Sequence, residues 1–193
     1  MEEQSRIAQL KQGDQAAFRA LVDQFQDRIY NTCLGFVYNA EDAEDLAQEV
    51  FMEVFRSIHK FKGEAKLSTW MHRIAVTKSL ELIRSRNRKK RAGKVLSLFG
   101  LKATGQEPKA MAYDHPGVQL ENKERSAVLF GAIQKLAENQ RIAFTLHKVD
   151  AKSYQEVAEI MGVSLSSVES LMFRAKRNLR KKLEKYYRED QER

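Results

Sequence analysis

Cysteine is nearly absent from this sequence: among 193 residues there is one, Cys33. That excludes an intrachain disulfide. The four histidines (His59, His72, His115 and His147) are scattered, and with a single cysteine they make no zinc spacing. No metal site and no cofactor is expected. Long apolar runs are missing as well. None approaches the roughly 18–20 residues of a membrane span, and the opening MEEQSRIAQL does not read as a signal peptide. The expectation is a soluble, cytoplasmic protein without membrane insertion. Proline occurs twice, and sustained apolar–polar alternation, the mark of a half-buried strand, is lacking.

What is present points to helices. Hydrophobic residues make up 42% of the chain, enough for a packed core. They recur mostly at spacings of three and four, which predicts an all-α fold. Charge is segregated along the chain. Residues 1–60 carry 6 basic and 11 acidic side chains, residues 61–106 carry 12 and 2, and residues 107–193 carry 16 and 13. The basic middle points to nucleic acid and the acidic first part to a protein partner.

Residues 1–92 read as one helical unit. Gly13-Asp14 is a plausible helix start, a second helix begins near Ala40, and a third near Leu67. Residues 93–120 hold four of the nine glycines (Gly93, Gly100, Gly105, Gly117) and both prolines (Pro108, Pro116), the composition of a linker. A flexible chain of that length spans about 30 Å root-mean-square, so by itself it does not fix the distance between two domains. The apolar patch Val95–Phe99 inside it reads as a short helix packing back on a domain, or as a docking segment. Helices resume across 121–193.

The most specific local signal lies in YQEVAEIMGVSLSSVESLMF, residues 154–173. A helix-turn-helix needs a small residue where its helices cross, and Ala158 supplies it. Its turn needs a left-handed residue, and Gly162 follows four positions later. Val168 then faces back, and Val157, Ile160, Met161, Leu165, Leu171 and Met172 complete a shared core. Ser153 and Glu156 are spaced as a capping box. Either Ser164 or Ser166 can cap the second helix. That helix presents Ser166, Ser167, Glu169, Ser170, Phe173 and Arg174 to a major groove. A basic run from Arg174 through Lys176, Arg177, Arg180, Lys181 and Lys182 is placed to meet phosphates.

Two further segments carry chemistry. In EDAEDLAQEVFMEVFRSI, residues 41–58, Leu46, Val50, Phe51, Val54, Phe55 and Ile58 form an apolar face. Asp42, Asp45, Glu49 and Glu53 crowd the opposite one. Like charges at these spacings repel, so a basic partner is expected. FKGEAKLSTWMHRIAVTKSLELIRSRNRKKR, residues 61–91, opens with a glycine turn and continues as a basic helix. Trp70, the only tryptophan, and Phe61 could stack on bases; the core is the other home for Trp70.

Together, DAEDLAQEVFMEVFRSI, FKGEAKLSTWMHRIA and SYQEVAEIMGVSLSSVESLMFRAKRNL resemble the extracytoplasmic-function (ECF) sigma factors of the sigma-70 superfamily, the small two-domain initiation subunits of bacterial RNA polymerase. The resemblance covers about 10–92 and 121–185. It implies an N-terminal region 2 domain (1–92), a flexible linker (93–120) and a C-terminal region 4 domain (121–193). It further implies that Asp42, Asp45, Gln48, Glu49 and Phe51 contact core polymerase. The −10 element would be engaged and melted by Lys62, Gly63, Glu64, Lys66, Ser68, Trp70, Arg73, Thr77 and Lys78. The −35 element would be read by Ser166, Ser167, Glu169, Ser170, Phe173, Arg174 and Arg177. Implied partners are core RNA polymerase, promoter DNA and an anti-sigma factor, with no small-molecule substrate. Three positions depart from common family residues: Thr77, where asparagine is frequent; Ala137, where proline is; and Glu169, where a basic residue is.

Two other classes fit less of the sequence. A stand-alone helix-turn-helix regulator leaves the acidic helix and the Trp70 segment unexplained. An enzyme acting on nucleic acid would need a phosphate-binding loop or a nucleophile constellation, and neither is found.

Overall fold

The computed structural model describes residues 2–98 and 120–191. Eight α-helices account for nearly all of them: α1 (Glu2–Lys11), α2 (Gln15–Val37), α3 (Ala40–Ser57), α4 (Leu67–Leu98), α5 (Leu120–Gln134), α6 (Glu138–Lys148), α7 (Tyr154–Met161) and α8 (Leu165–Gln191). A single 3-10 turn, Ile58–Lys60, follows α3, and no strand occurs among the described residues. The all-helical expectation is met.

The expected helix starts have local causes. The Asp14 carboxylate accepts from the amides of Ala16 and Ala17 at 2.8 and 3.0 Å, and Gly13 before it has φ +79°. These bonds satisfy amides that have no partner within α2. Only Tyr38 and Asn39 separate α2 from α3. Tyr38 adopts a left-handed conformation (φ 54°), uncommon for a residue with a side chain, and its amide closes on the Leu34 carbonyl at 2.9 Å. Asn39 then caps α3 through the Asp42 amide at 2.8 Å. Glu41 and Asp42 in the first turn meet the positive end of the helix dipole. Helix α1, which periodicity does not single out, buries Leu10 and brings the Glu3 carboxylate to the Leu67 amide at the start of α4, 3.3 Å away.

Helices α2, α3 and α4 pack on one another around Leu21, Ile29, Val50, Val54, Met71 and Ala75, all fully buried. Each large aliphatic among them contributes about 1.5–3 kcal/mol. Helices α6, α7 and α8 close around Leu146, Val157, Val168 and Met172, while α5 covers Ala132, Ile133, Leu136, Ala175 and Leu179.

The two groups of helices are also packed against each other, which a tether of unfixed span does not lead one to expect. One continuous buried cluster runs from Leu10 to Met172, with α7 against α4 and α6 against α2. Gly35 makes the second contact possible: a Cβ there would lie 3.0 Å from Val149 Cγ1 and 3.2 Å from Thr145 Cγ2. Helix α4 extends to Leu98, into the stretch with the composition of a linker. The rest of that stretch, 99–119, lies outside the described residues, as do the side chains of the Val95–Phe99 patch.

Cys33 is fully buried on α2, and burial pushes its thiol up to about 12. It should resist alkylation in the folded protein at pH 8 and react fully in denaturant, since only the thiolate is nucleophilic. Mass spectrometry after a timed iodoacetamide pulse checks this; rapid labelling of folded protein would place Cys33 outside the core.

Candidate nucleic-acid interface

The turn between α7 and α8 has the geometry a helix-turn-helix requires. Ser153 Oγ accepts from the Glu156 amide at 3.2 Å, and the Glu156 carboxylate accepts from the Ser153 amide at 2.8 Å, closing the capping box. The Ser153 amide, followed by its hydroxyl, holds the Glu156 carboxyl below its usual range. Helix α7 ends on Gly162 at φ 66°, and the Val163 amide returns to the Ala158 carbonyl at 3.1 Å. Ala158 and Val168 are buried where the helices meet. Ser164 is the cap of α8: its Oγ accepts from the Ser167 amide at 3.2 Å and bonds the hydroxyls of Ser166 and Ser167 at 3.1 and 2.8 Å. Ser153→Ala should lower stability by about 1 kcal/mol, measurable as a shift in urea midpoint; an unchanged midpoint would mean the box contributes nothing.

Beyond the cap, α8 presents a polar face. Ser166, Glu169, Ser170, Arg174 and Arg177 are exposed and Ser167 is half-buried. Phe173 is 67% exposed, an unusual setting for an aromatic side chain. Leu165 corrects the sequence reading: expected in the shared core, it is 43% exposed, because it sits at the first position of α8 and points off the seam.

On α3 the acidic and apolar faces separate as expected, with two corrections. Phe51, expected to contact a partner, is buried and supports α3 from beneath. Phe55, expected in the core, is exposed, its ring edge-on to Phe18 at 5.1 Å, with Met52 exposed nearby on the same helix. Asp45, Gln48 and Glu49 face outward. Part of the anticipated basic counterpart is inside the chain. Arg86 of α4 grips Asp42 with two bonds of 2.6 Å, and Lys78 stands 3.7 Å from Glu49. Asp42, Asp45 and Glu49 line an open groove with Lys78, Glu81 and Arg88 of α4.

The segment before and within α4 places its residues on two levels. Lys62, Gly63, Glu64 and Lys66 are exposed, and Gly63 takes φ +77°, a conformation that favours glycine. Ser68 and Trp70 are half-buried. Phe61 corrects the sequence reading: it is buried under Trp70, ring centres 5.2 Å apart, so it is unable to stack on a base. Trp70 is left with part of its ring on the surface. Arg73 and Thr77 follow on the exposed side, with Thr77 Oγ1 donating to the Arg73 carbonyl at 2.8 Å, while Lys78 is half-buried.

Several polar contacts have no sequence signal. Arg73 donates to the carbonyls of Glu159 and Ile160 on α7, at 2.6 and 3.2 Å. Thr32 of α2 donates to Asp150 at 2.8 Å, and His72 of α4 lies 3.9 Å from the same oxygen. Arg84 pairs with Glu138. All join residues more than fifty positions apart, where periodicity carries no information.

Comparison with known proteins decides the family. The pattern described as Sigma-70 region 2 matches residues 21–89, and that of Sigma-70, region 4 matches 119–179. The ECF RNA polymerase sigma factor SigW of Bacillus subtilis is 34% identical over 92% of this chain and 95% of its own. The chain belongs to the ECF RNA polymerase sigma factors. As a sigma factor it directs promoter-specific transcription initiation through RNA polymerase. Two solved structures share its fold. CnrH, in complex with the cytosolic domain of CnrY, has a TM-score of 0.63 at 19% identity, covering 94% of this chain and 97% of its own. RpoE of Bartonella quintana, in complex with the anti-sigma factor NepR, has 0.57 at 20%, covering 86% and 96%.

Proposed function

We propose that this sigma factor divides its work among three surfaces. The acids of α3 dock on core polymerase, through Asp42, Asp45, Gln48 and Glu49. The stretch from Lys62 to Lys78, with Trp70, Arg73 and Thr77 on one side of α4, engages the −10 element as a single strand. The α8 face from Ser166 to Arg177 reads the −35 element as duplex. The observation that carries this reading is the α8 face: a capped helix-turn-helix presenting small polar side chains, Glu169 and Phe173 ahead of a basic run. Hydroxyls and carboxylates make base-edge contacts, while arginines hold phosphates.

Melting on this reading draws on binding energy alone, with no bond made or broken by the protein and hence no catalytic residue. Two modules of modest affinity gain strength when polymerase holds both at the promoter, through effective concentration. The described helices include none long and apolar enough to cross a membrane, and the working place proposed is the cytoplasm, beside polymerase. An anti-sigma factor is proposed as a further partner, as in the RpoE–NepR complex.

Glu169 supplies the test. A carboxylate accepts from a cytosine amino group. Selection of −35 sequences by the holoenzyme should therefore favour cytosine at one position, and Glu169→Arg should move that preference to guanine. Discrimination should change by about 1–3 kcal/mol, roughly 5- to 150-fold. An unchanged selected sequence would remove α8 from base reading.

A further inference from the structure

The contacts between the two helical groups put the proposed −10 and −35 readers in one another's way. Helix α7, the first of the helix-turn-helix, lies against α4. Arg73, on the proposed −10 side of α4, is held by the Glu159 and Ile160 carbonyls at the end of α7. Carbonyls in the last turn of a helix are short of intrahelical donors, and a cation there is favourable. A phosphate and the end of α7 are therefore alternatives for the same guanidinium.

Distance makes the exclusion general. The −35 and −10 elements lie roughly 25 base pairs apart, about 85 Å at 3.4 Å per pair. Packed helices such as α4 and α7 have axes about 8–10 Å apart. The long axis of α8, about 40 Å for its 27 residues, does not bridge the difference. A chain closed in this way is unable to span both elements.

We propose that the free sigma factor is held in a closed, self-masking form by a latch between its two halves, and that productive initiation requires the latch to open. The latch has an apolar and a polar part. Gly35 admits Val149 and Thr145 to the flank of α2. Beside it, Asp150 is buried between the halves. Its Oδ2 takes the Thr32 hydroxyl at 2.8 Å, with His72 Nε2 and Lys152 Nζ both at 3.9 Å. His72 spends its other nitrogen on the Ser68 carbonyl at 2.7 Å, and its Nε2 has no hydrogen-bond partner. A buried polar cluster satisfied only in part holds less firmly than a fully paired or apolar one. That is the property a reversible latch needs. Gln134 adds a bond to the Phe36 carbonyl at 2.7 Å.

The geometry offers a direct lock. A Cβ at position 35 would lie 3.6 Å from Val149 Cβ, inside the disulfide range of about 3.5–4.5 Å. The test uses the full chain carrying Gly35→Cys and Val149→Cys, with Cys33→Ala so that only one bridge can form. Gly35→Leu serves as a wedge between α2 and α6. None of these positions belongs to the proposed docking or DNA-reading surfaces.

Mild oxidation should form the bridge, scored by thiol titration. The bridged protein should lose at least tenfold in promoter transcription with core polymerase, and dithiothreitol should restore it. The wedge variant, without polymerase, should bind a fluorescent single-stranded −10 oligonucleotide several-fold more tightly than wild type, and the bridged protein more weakly. Failure of the bridge to form, full transcription by the bridged protein, or no gain for the wedge would each overturn the latch. The proposal rests on the three-surface reading above, and the outcomes separate. If wild type itself gave no promoter-specific transcript, that reading would fall, while bridge formation and the wedge comparison would still decide the latch.

Discussion

Phe36→Ala should destabilise the protein by about 3–5 kcal/mol, the largest single loss expected from truncating one core side chain here. Phe36 is the largest of the fully buried side chains, at 1% exposure near the end of α2. Truncation removes the apolar area it keeps from water and leaves a cavity that closes only in part. Its neighbours Leu34 and Val37 are buried in the same helix, so little freedom remains to fill the gap. For a chain of this size, about 2–4 °C is lost per kcal/mol, and the melting temperature should fall by roughly 10 °C. Calorimetry or thermal circular dichroism reads this directly. A fall of a degree or less would mean that Phe36 is not in a packed core.

Reversing charge on the outward acids of α3 should have the largest functional effect. Asp45→Arg with Glu49→Arg should weaken core-polymerase binding at least 100-fold, because like charges brought together at an interface cost several kcal/mol. Both side chains are exposed, so the fold should survive and the melting temperature should hold. Asp42 is a poorer choice. Its carboxylate is held by Arg86 at 2.6 Å, and reversing it would break an internal ion pair as well. Binding of labelled sigma factor to core polymerase, measured by anisotropy, checks the double variant. Affinity within threefold of wild type would move the docking surface off α3.

The features legible in the sequence are the local ones. Asp14, Asn39 with Ala40, the Ser153–Glu156 box and Gly162 act on amides within four residues of themselves, so spacing alone reveals them. The apolar stripes of α3 and α8 are legible in direction but not in width. A turn of 100° per residue places Phe51 and Phe55 both near the stripe's edge; the neighbouring helices then bury one and expose the other. Leu165 and Phe61 escape the pattern for a similar reason, because whether an edge residue is covered depends on what packs there. The contacts between the halves leave no trace in the sequence at all. Gly35 reads as an ordinary helix-interior glycine, and Asp150 as a turn residue. Only the close approach of α6 gives the first a role, and only Thr32, 118 positions away, gives the second a partner.

The central claim is that the α3, α4 and α8 surfaces act as one promoter clamp only when polymerase holds them. Run-off transcription with reconstituted bacterial core polymerase, paired with a gel shift of the same promoter by the sigma factor alone, tests it most directly. The account predicts a defined start site that requires both the −35 and −10 elements, and little or no shift without polymerase. No specific transcript above core polymerase alone, or tight binding of the duplex by the free protein, would contradict it.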